Sequence, residues 1–268
     1  KLLLTFLIPS LLFTSCKNNI DISSVSFTAP NGAPCLALYN FANNGQLDIN
    51  TNPALVGGQL QADNYDCVVF DFSKGLQMLK KNNGHYKLAR ILTGGNLYLV
   101  GINKSEDSKE PREGDLVISF GEGLIPDKAY KQIYGNSGSE VRYVEGVSDI
   151  VPVLKSGKFQ TESVDYIVIA EPILTKVMAS LDQSKYTVVS IREKWGEVKQ
   201  TSPVIPQAGL FFNMNRYNDK HSLFNEILKN SLWSDYEAVV PKRSVIFKIQ
   251  KINFRLQRAK EIIIYILP

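Results

Sequence analysis

Two acidic residues stand where a polar group could act on a small molecule. Asp71 ends the apolar run Cys67-Val68-Val69-Phe70, and Glu171 follows Ile167-Val168-Ile169-Ala170 directly before Pro172. A carboxylate pair can serve as general acid and base, but only if folding brings both into one cleft within about 5–9 Å. The other catalytic sets are missing from the sequence. There is no nucleophile elbow, no Cys–His pairing and no Cys/His spacing suited to a metal. His85 and His221 are isolated and read as surface residues.

The elements that must position these groups come in two copies of one plan. In the second copy, Leu116-Val117-Ile118-Ser119-Phe120 reads as a buried strand, too short for a globular helix and bounded by glycine. Gly121-Glu122-Gly123 then turns the chain, and Pro126 suits the first turn of a helix because its missing N–H costs nothing there. In the first copy, Val25-Ser26-Phe27-Thr28-Ala29 is the strand, Pro30-Asn31-Gly32-Ala33-Pro34 the turn, and Cys35 to Tyr39 the start of the helix. Each copy leads to a second buried strand that opens with Asp, at Asp66 and at Asp165. A strand, a glycine turn and a helix N-terminus gather free backbone N–H groups above the strand end.

The remaining elements follow from periodicity and punctuation. Residues 46–49 read as a short strand, Pro53 to Leu60 as a short helix, and 73–81 as a helix capped by Ser73. Strands are expected at 86–92 and 96–102, separated by Thr93-Gly94-Gly95. The charged, turn-rich stretch 103–114 marks the passage to a second lobe. Further strands are expected at 139–144, 187–191 and 207–213, and helices at 147–155, 172–181 and 221–229. Residues 195–206, with two prolines, read as irregular. Residues 245–252 alternate moderately, and 259–266 run into an abrupt Leu267-Pro268 that suggests an altered terminus.

Composition bounds the class. The chain has 268 residues, 44% of them hydrophobic, with 30 Lys+Arg against 26 Asp+Glu, a net charge of +4. So mild and scattered an excess gives no footprint for nucleic acid. Residues 1–13 hold one Lys followed by a short apolar run, well short of the roughly 20 residues of a membrane span, which reads as the core of a secretory signal. The absence of Met at the start suggests that the first few residues are missing. Phe13-Thr14-Ser15-Cys16 resembles the lipobox of bacterial lipoproteins, which implies lipidation at Cys16. Without this segment about 250 residues remain, enough for one large domain or two lobes of about 100–130. Cys35 and Cys67 sit toward opposite ends of neighbouring strands, near 10 Å apart at about 3.3 Å per residue, and are expected to be free, buried thiols.

Several segments taken together resemble the substrate-binding lipoproteins of ABC importers, in the group related to nitrate, sulfonate/taurine and thiamine-precursor binding proteins. They are Ala29-Pro30-Asn31-Gly32-Ala33-Pro34, Gly95-Asn96-Leu97-Tyr98-Leu99-Val100, Gly121-Glu122-Gly123-Leu124-Ile125-Pro126-Asp127, Ala170-Glu171-Pro172 and Ile205-Pro206-Gln207-Ala208-Gly209-Leu210. Their order and spacing carry the resemblance from about Val25 to Asn213. It implies an α/β, two-lobed clamshell of the type 2 periplasmic-binding-protein kind, each lobe a sheet with flanking helices. Crossovers are expected near residues 98–103 and 204–209. Residues 1–16 would be the signal segment, 17–102 the first part of lobe 1, 103–204 lobe 2, and 205–268 the return to lobe 1.

The implied function is capture of a small organic solute in the cleft by a lipid-anchored, extracytoplasmic monomer that presents it to an ABC permease. No cofactor, metal or catalytic residue is implied. The expected ligand-binding residues are Asn31, Gly32, Ala33 and Pro34; Asp71, Phe72 and Ser73; Thr93, Gly94 and Asn96; Gly123, Leu124 and Ile125; and Glu171 as partner for an amine. Tyr98 or Phe72 would offer a stacking face. The sequence also departs from the family. Gly94 stands where relatives often carry an aromatic residue, and Asp71-Phe72-Ser73 where they often have Pro-Thr-Asn. The turn at 121–126 has lost two hydroxyl donors. Asp71 and Glu122 would repel an anion. Two competing readings remain: an enzyme on the same fold, and a surface lipoprotein that binds a partner through an exposed aromatic patch.

Overall fold

The computed structural model describes residues 22–38, 41 and 46–230. Cys16 with its signal segment, and the expected elements at 245–252 and 259–266, lie outside the described residues. Two five-stranded sheets dominate. In the first, β1 (Phe27–Pro30) pairs in parallel with β2 (Leu47–Asn50) and with β3 (Cys67–Asp71). β12 (Ala208–Asn213) then runs antiparallel between β3 and β4 (Tyr86–Ile91). In the second, β6 (Leu116–Phe120) pairs in parallel with β7 (Glu140–Val144) and β10 (Tyr166–Ala170). β5 (Leu97–Ile102) runs antiparallel between β10 and β11 (Tyr186–Ser190). The order β2-β1-β3-β12-β4 is thus repeated as β7-β6-β10-β5-β11. A small ribbon, β8 (Lys158–Phe159) with β9 (Glu162–Ser163), lies apart.

The repeat makes the protein a two-lobed α/β clamshell of the periplasmic-binding-protein type, and the antiparallel strand of each sheet is the one that crosses over. Residues 97–102 fall in the sequence span expected for lobe 1, yet β5 pairs only in the second sheet. Thr93-Gly94-Gly95 has the composition of a hairpin turn, but it carries the chain from one sheet to the other. Local turn chemistry could not show which sheet would receive the strand, because that depends on its partners β10 and β11.

Eight helices flank the sheets among the described residues: α1 (Ala33–Leu36), α2 (Pro53–Ala62), α3 (Phe72–Asn82), α4 (Ile125–Tyr134), α5 (Ile150–Ser156), α6 (Ile173–Met178), α7 (Ile191–Lys199) and α8 (Tyr217–Asn230). α7 contradicts the expectation of an irregular stretch from residue 195. Ser190 caps it by accepting from the Glu193 amide at 3.3 Å, and Trp195 is buried in the core. The prolines at 203 and 206 lie beyond its end and do not break it. Gly121 and Gly123 take φ of 64° and 72° in the turn before α4, which side-chain-bearing residues adopt only with strain.

Alternation along the strands builds the cores. Cys67 and Val69 of β3 face one cluster with Phe27, Phe41 and Leu210, whereas Val68 and Phe70 face another with Val56, Leu60 and Phe211. In the second lobe Val117 and Val168 point one way, and Ile118, Ile167 and Ile169 the other. Each such buried side chain contributes about 1.5–3 kcal/mol by leaving water. Cys35 and Cys67 are both free; Cys67 is buried, but Cys35 is only half-buried, its thiol donating to the Pro30 carbonyl at 2.8 Å.

The two aspartates that open the second strands do the same job. Asp66 Oδ2 accepts from the Ser26 amide at 2.9 Å, and Asp165 Oδ2 accepts from the Leu116 amide at 2.9 Å. Each therefore ties the start of its own strand to the start of the neighbouring parallel strand. Each is also paired with a lysine, Asp66 with Lys220 at 2.9 Å and Asp165 with Lys104 at 2.8 Å.

Candidate functional site

Parallel strands deliver their C-terminal ends to one edge of a sheet, and in open α/β sheets that edge is where ligands bind. Here the two such edges face each other across a cavity of about 110 Å³. Pro30 comes to it from β1, Thr51 from just beyond β2, and Asp71 from the end of β3. From the other lobe come Phe120 of β6, Gly146 after β7, and Ala170 with Glu171 at the end of β10. The space exceeds the ~10–15 Å³ needed for one water several times over.

Asn31, Gly32, Ala33, Pro34, Asp71, Thr93, Asn96, Leu124, Ile125 and Glu171 all line this cavity. Four expected residues do not. Phe72, the first residue of α3, turns into the core beside Leu97 and Ile125. Ser73 is fully buried and accepts from Lys128 Nζ at 2.6 Å. Gly94 is engaged by its carbonyl, which accepts from the Ile205 amide at 3.1 Å. Gly123 turns its amide toward Asp127 Oδ2, 2.9 Å away. Tyr98 packs against the core on the far face of the second sheet, so the aromatic faces of the cavity are Phe70 and Phe120. Glu122 is exposed and lies off the lining.

Residues not foreseen from sequence include Thr51, Pro53, Gly146, Val147, Ser148 and Gln207. The signal for most of them was present but unused. Thr51 and Gly146 follow the edge strands β2 and β7, and would have been found by taking the end of every parallel strand. Gln207 needed the crossover geometry, since its Oε1 accepts from the Asn96 amide at 3.0 Å. The two crossover segments are further stitched by the Gln207 amide on the Thr93 carbonyl and by the Ala208 amide on Thr93 Oγ1 at 2.9 Å.

The two carboxylates are engaged in different ways. Asp71 caps α3, its Oδ1 accepting from the Lys74 amide at 2.8 Å. Its Oδ2 crosses to the other lobe and accepts from the Ile125 amide, the first of α4, at 2.6 Å. α4 has no cap of its own, because Leu124 at that position has no polar side chain. Burial pushes the Asp71 carboxyl up to about 6, against the opposing pull of these amides and the nearby Lys128 ammonium. Glu171 stays within its lobe: Oε2 accepts from the Thr175 amide and Oε1 from Thr175 Oγ1, both at 3.1 Å. Burial also raises its affinity for a proton, partly offset by the two Thr175 bonds. Among the described residues, no group of His, Cys, Asp and Glu is arranged to hold a metal ion.

Solved structures share this architecture. An ABC transporter protein from Parabacteroides distasonis matches with a TM-score of 0.56 at 16% identity, over 77% of this chain and 71% of that one. The zinc-bound ligand-binding component of an ABC-type import system from Staphylococcus aureus matches at 0.57 and 11% identity, over 77% and 72%. The periplasmic aliphatic sulphonate binding protein SsuA from Escherichia coli matches at 0.53 and 8% identity, over 77% and 67%. Identities this low establish a common fold, that of ABC-type substrate-binding proteins, and nothing of the ligand. Neither protein-family models nor curated proteins match the sequence.

Proposed function

We propose that this protein is the solute-binding component of an ABC importer, an extracytoplasmic monomer anchored through lipidated Cys16. It captures a small organic solute between two lobes, divided near 93–96 and 204–208, and presents the closed form to a membrane permease. The observation that carries the reading is the cavity itself, lined from both lobes by the C-terminal ends of their parallel strands. The fold shared with ABC-type binding proteins supports it. Contacts that form only when the lobes meet shift the population toward the closed state, and that shape is what a permease reads. The site works by binding rather than catalysis. Asp71 and Glu171 both line it, and both carboxylates hold helix starts, which supports a structural and binding role for them.

The test is a thermal-shift screen of the purified protein with pyrimidines and other heterocycles, amino acids, polyamines and sulfonates. A bound solute at a hundredfold excess over Kd raises stability by about 2.7 kcal/mol. Folded protein that responds to no compound class, and that does not associate with any permease when captured from membranes, overturns the reading.

A further inference from the structure

The convergence of two helix starts on one carboxylate has a consequence for which solutes enter. α3 and α4, of 11 and 10 residues, come from opposite lobes and direct N-terminal amides at the same point. Such a point favours negative charge, because the amides are unpaired within the helix and the helix dipole is positive there. Asp71 Oδ1 and Oδ2 occupy it, 2.8 Å from the Lys74 amide and 2.6 Å from the Ile125 amide. The only other charged side chain on the cavity wall, among the described residues, is Glu171. Lys128, a cation whose charge acts on Asp71, does not line the cavity and is hydrogen-bonded to Ser73. The rest of the wall is largely apolar, with Pro30, Pro34, Phe70, Leu97, Phe120 and Val147.

We infer that Asp71 is a specificity-determining residue, a built-in anion that fills the point on the cleft wall where helix starts from both lobes meet. The cleft thereby refuses sulfonates, carboxylates and phosphates and is left to neutral or cationic solutes with an apolar body. This rests on the cavity being the solute site, but it does not need the identity of the solute or of a permease.

The experiment is calorimetric titration of the purified protein with methanesulfonate, in the wild type and in Asp71→Ser and Asp71→Gly. Both replacements are good helix caps, so α3 keeps its start while the charge leaves. Circular dichroism and the melting temperature establish that each variant is folded, and one folded variant suffices. The wild type is expected to bind methanesulfonate weakly or not at all, and the variants roughly tenfold or more tightly, as like-charge repulsion is removed and the Ile125 amide is released. Two results overturn the inference: wild-type binding as tight as that of the variants, or a folded variant that gains no affinity. The importer reading fails separately, on the absence of any solute at all, and survives if only the anion comparison goes the wrong way.

Discussion

The two lobes share their base and differ at their rim. At the base, Asp66 and Asp165 hold equivalent amides and each pairs with a lysine. At the rim, the equivalent strand ends carry Asp71 and Glu171, and only Asp71 reaches into the other lobe. Glu171 gives both oxygens to Thr175 in its own helix, whereas Asp71 gives one oxygen to its own helix and the other to α4. The base of each sheet thus repeats one device for building a lobe. The rim is where the copies part, one carboxylate holding its own helix alone and the other holding its own helix and joining the lobes as well.

The largest effect expected from breaking the comparison is at the base. The Asp66 side chain is 2% exposed and that of Asp165 is 34% exposed. Asp66 also accepts from Ser26 Oγ and Arg216, so its loss leaves several partly buried donors without their acceptor. Asp66→Ala should cost about 3 kcal/mol or more, and Asp165→Ala about 1 kcal/mol. Chemical denaturation of the two variants checks this, and equal losses would show that burial does not separate the two locks.

The second comparison lies along β3, whose two ends titrate in opposite directions. Burial alone would raise the Asp66 carboxyl, but the Ser26 amide and Lys220 outweigh it, and its affinity for a proton falls. Its stabilisation is present above its unfolded value and is lost as pH falls through the lowered one. Asp71 is raised, from 3.8 to about 6. Its folded form favours the proton, so that contribution is full below the unfolded value and is lost as pH rises through about 6. The stability of wild type relative to Asp71→Asn should therefore fall between pH 4 and pH 7, by up to about 3 kcal/mol. Denaturation midpoints across that range decide it. A difference independent of pH would show that Asp71 is better solvated than its position implies.

Much of this was legible in the sequence, and the limits have physical causes. The paired strand-turn-helix units and the Asp opening each second strand were readable because they are local patterns repeated in one order. The two rim carboxylates were readable for the same reason, since each ends an apolar run. What could not be read was which partner each group would find. Nothing within 94–102 says that β5 joins the second sheet, and nothing beside Ile125 says that its helix is capped by a residue 54 positions earlier. Phe72 and Tyr98, chosen as stacking faces, are aromatic residues near the right strand ends that point away from the cavity. A face is set by the register of the pleat and the first helical turn, which residue type does not fix.

The smallest expected effect tests the rim carboxylate that stays at home. Thr175→Val keeps the shape of the side chain and removes the hydroxyl that donates to Glu171 Oε1 at 3.1 Å, while the Thr175 amide still reaches Oε2. One of two bonds is lost, for about 1 kcal/mol. The Glu171 carboxylate, already raised by burial, should take up its proton at a still higher pH, since the hydroxyl stabilised its charged form. If Glu171 only holds α6, the variant melts slightly earlier and solute binding is unchanged. If Glu171 instead also meets a cationic solute, freeing one of its oxygens should tighten that binding while stability still falls. Opposite movements of stability and affinity would separate a residue that only builds the rim from one that also faces the solute, and Asp71→Asn supplies the contrasting case at the other strand end.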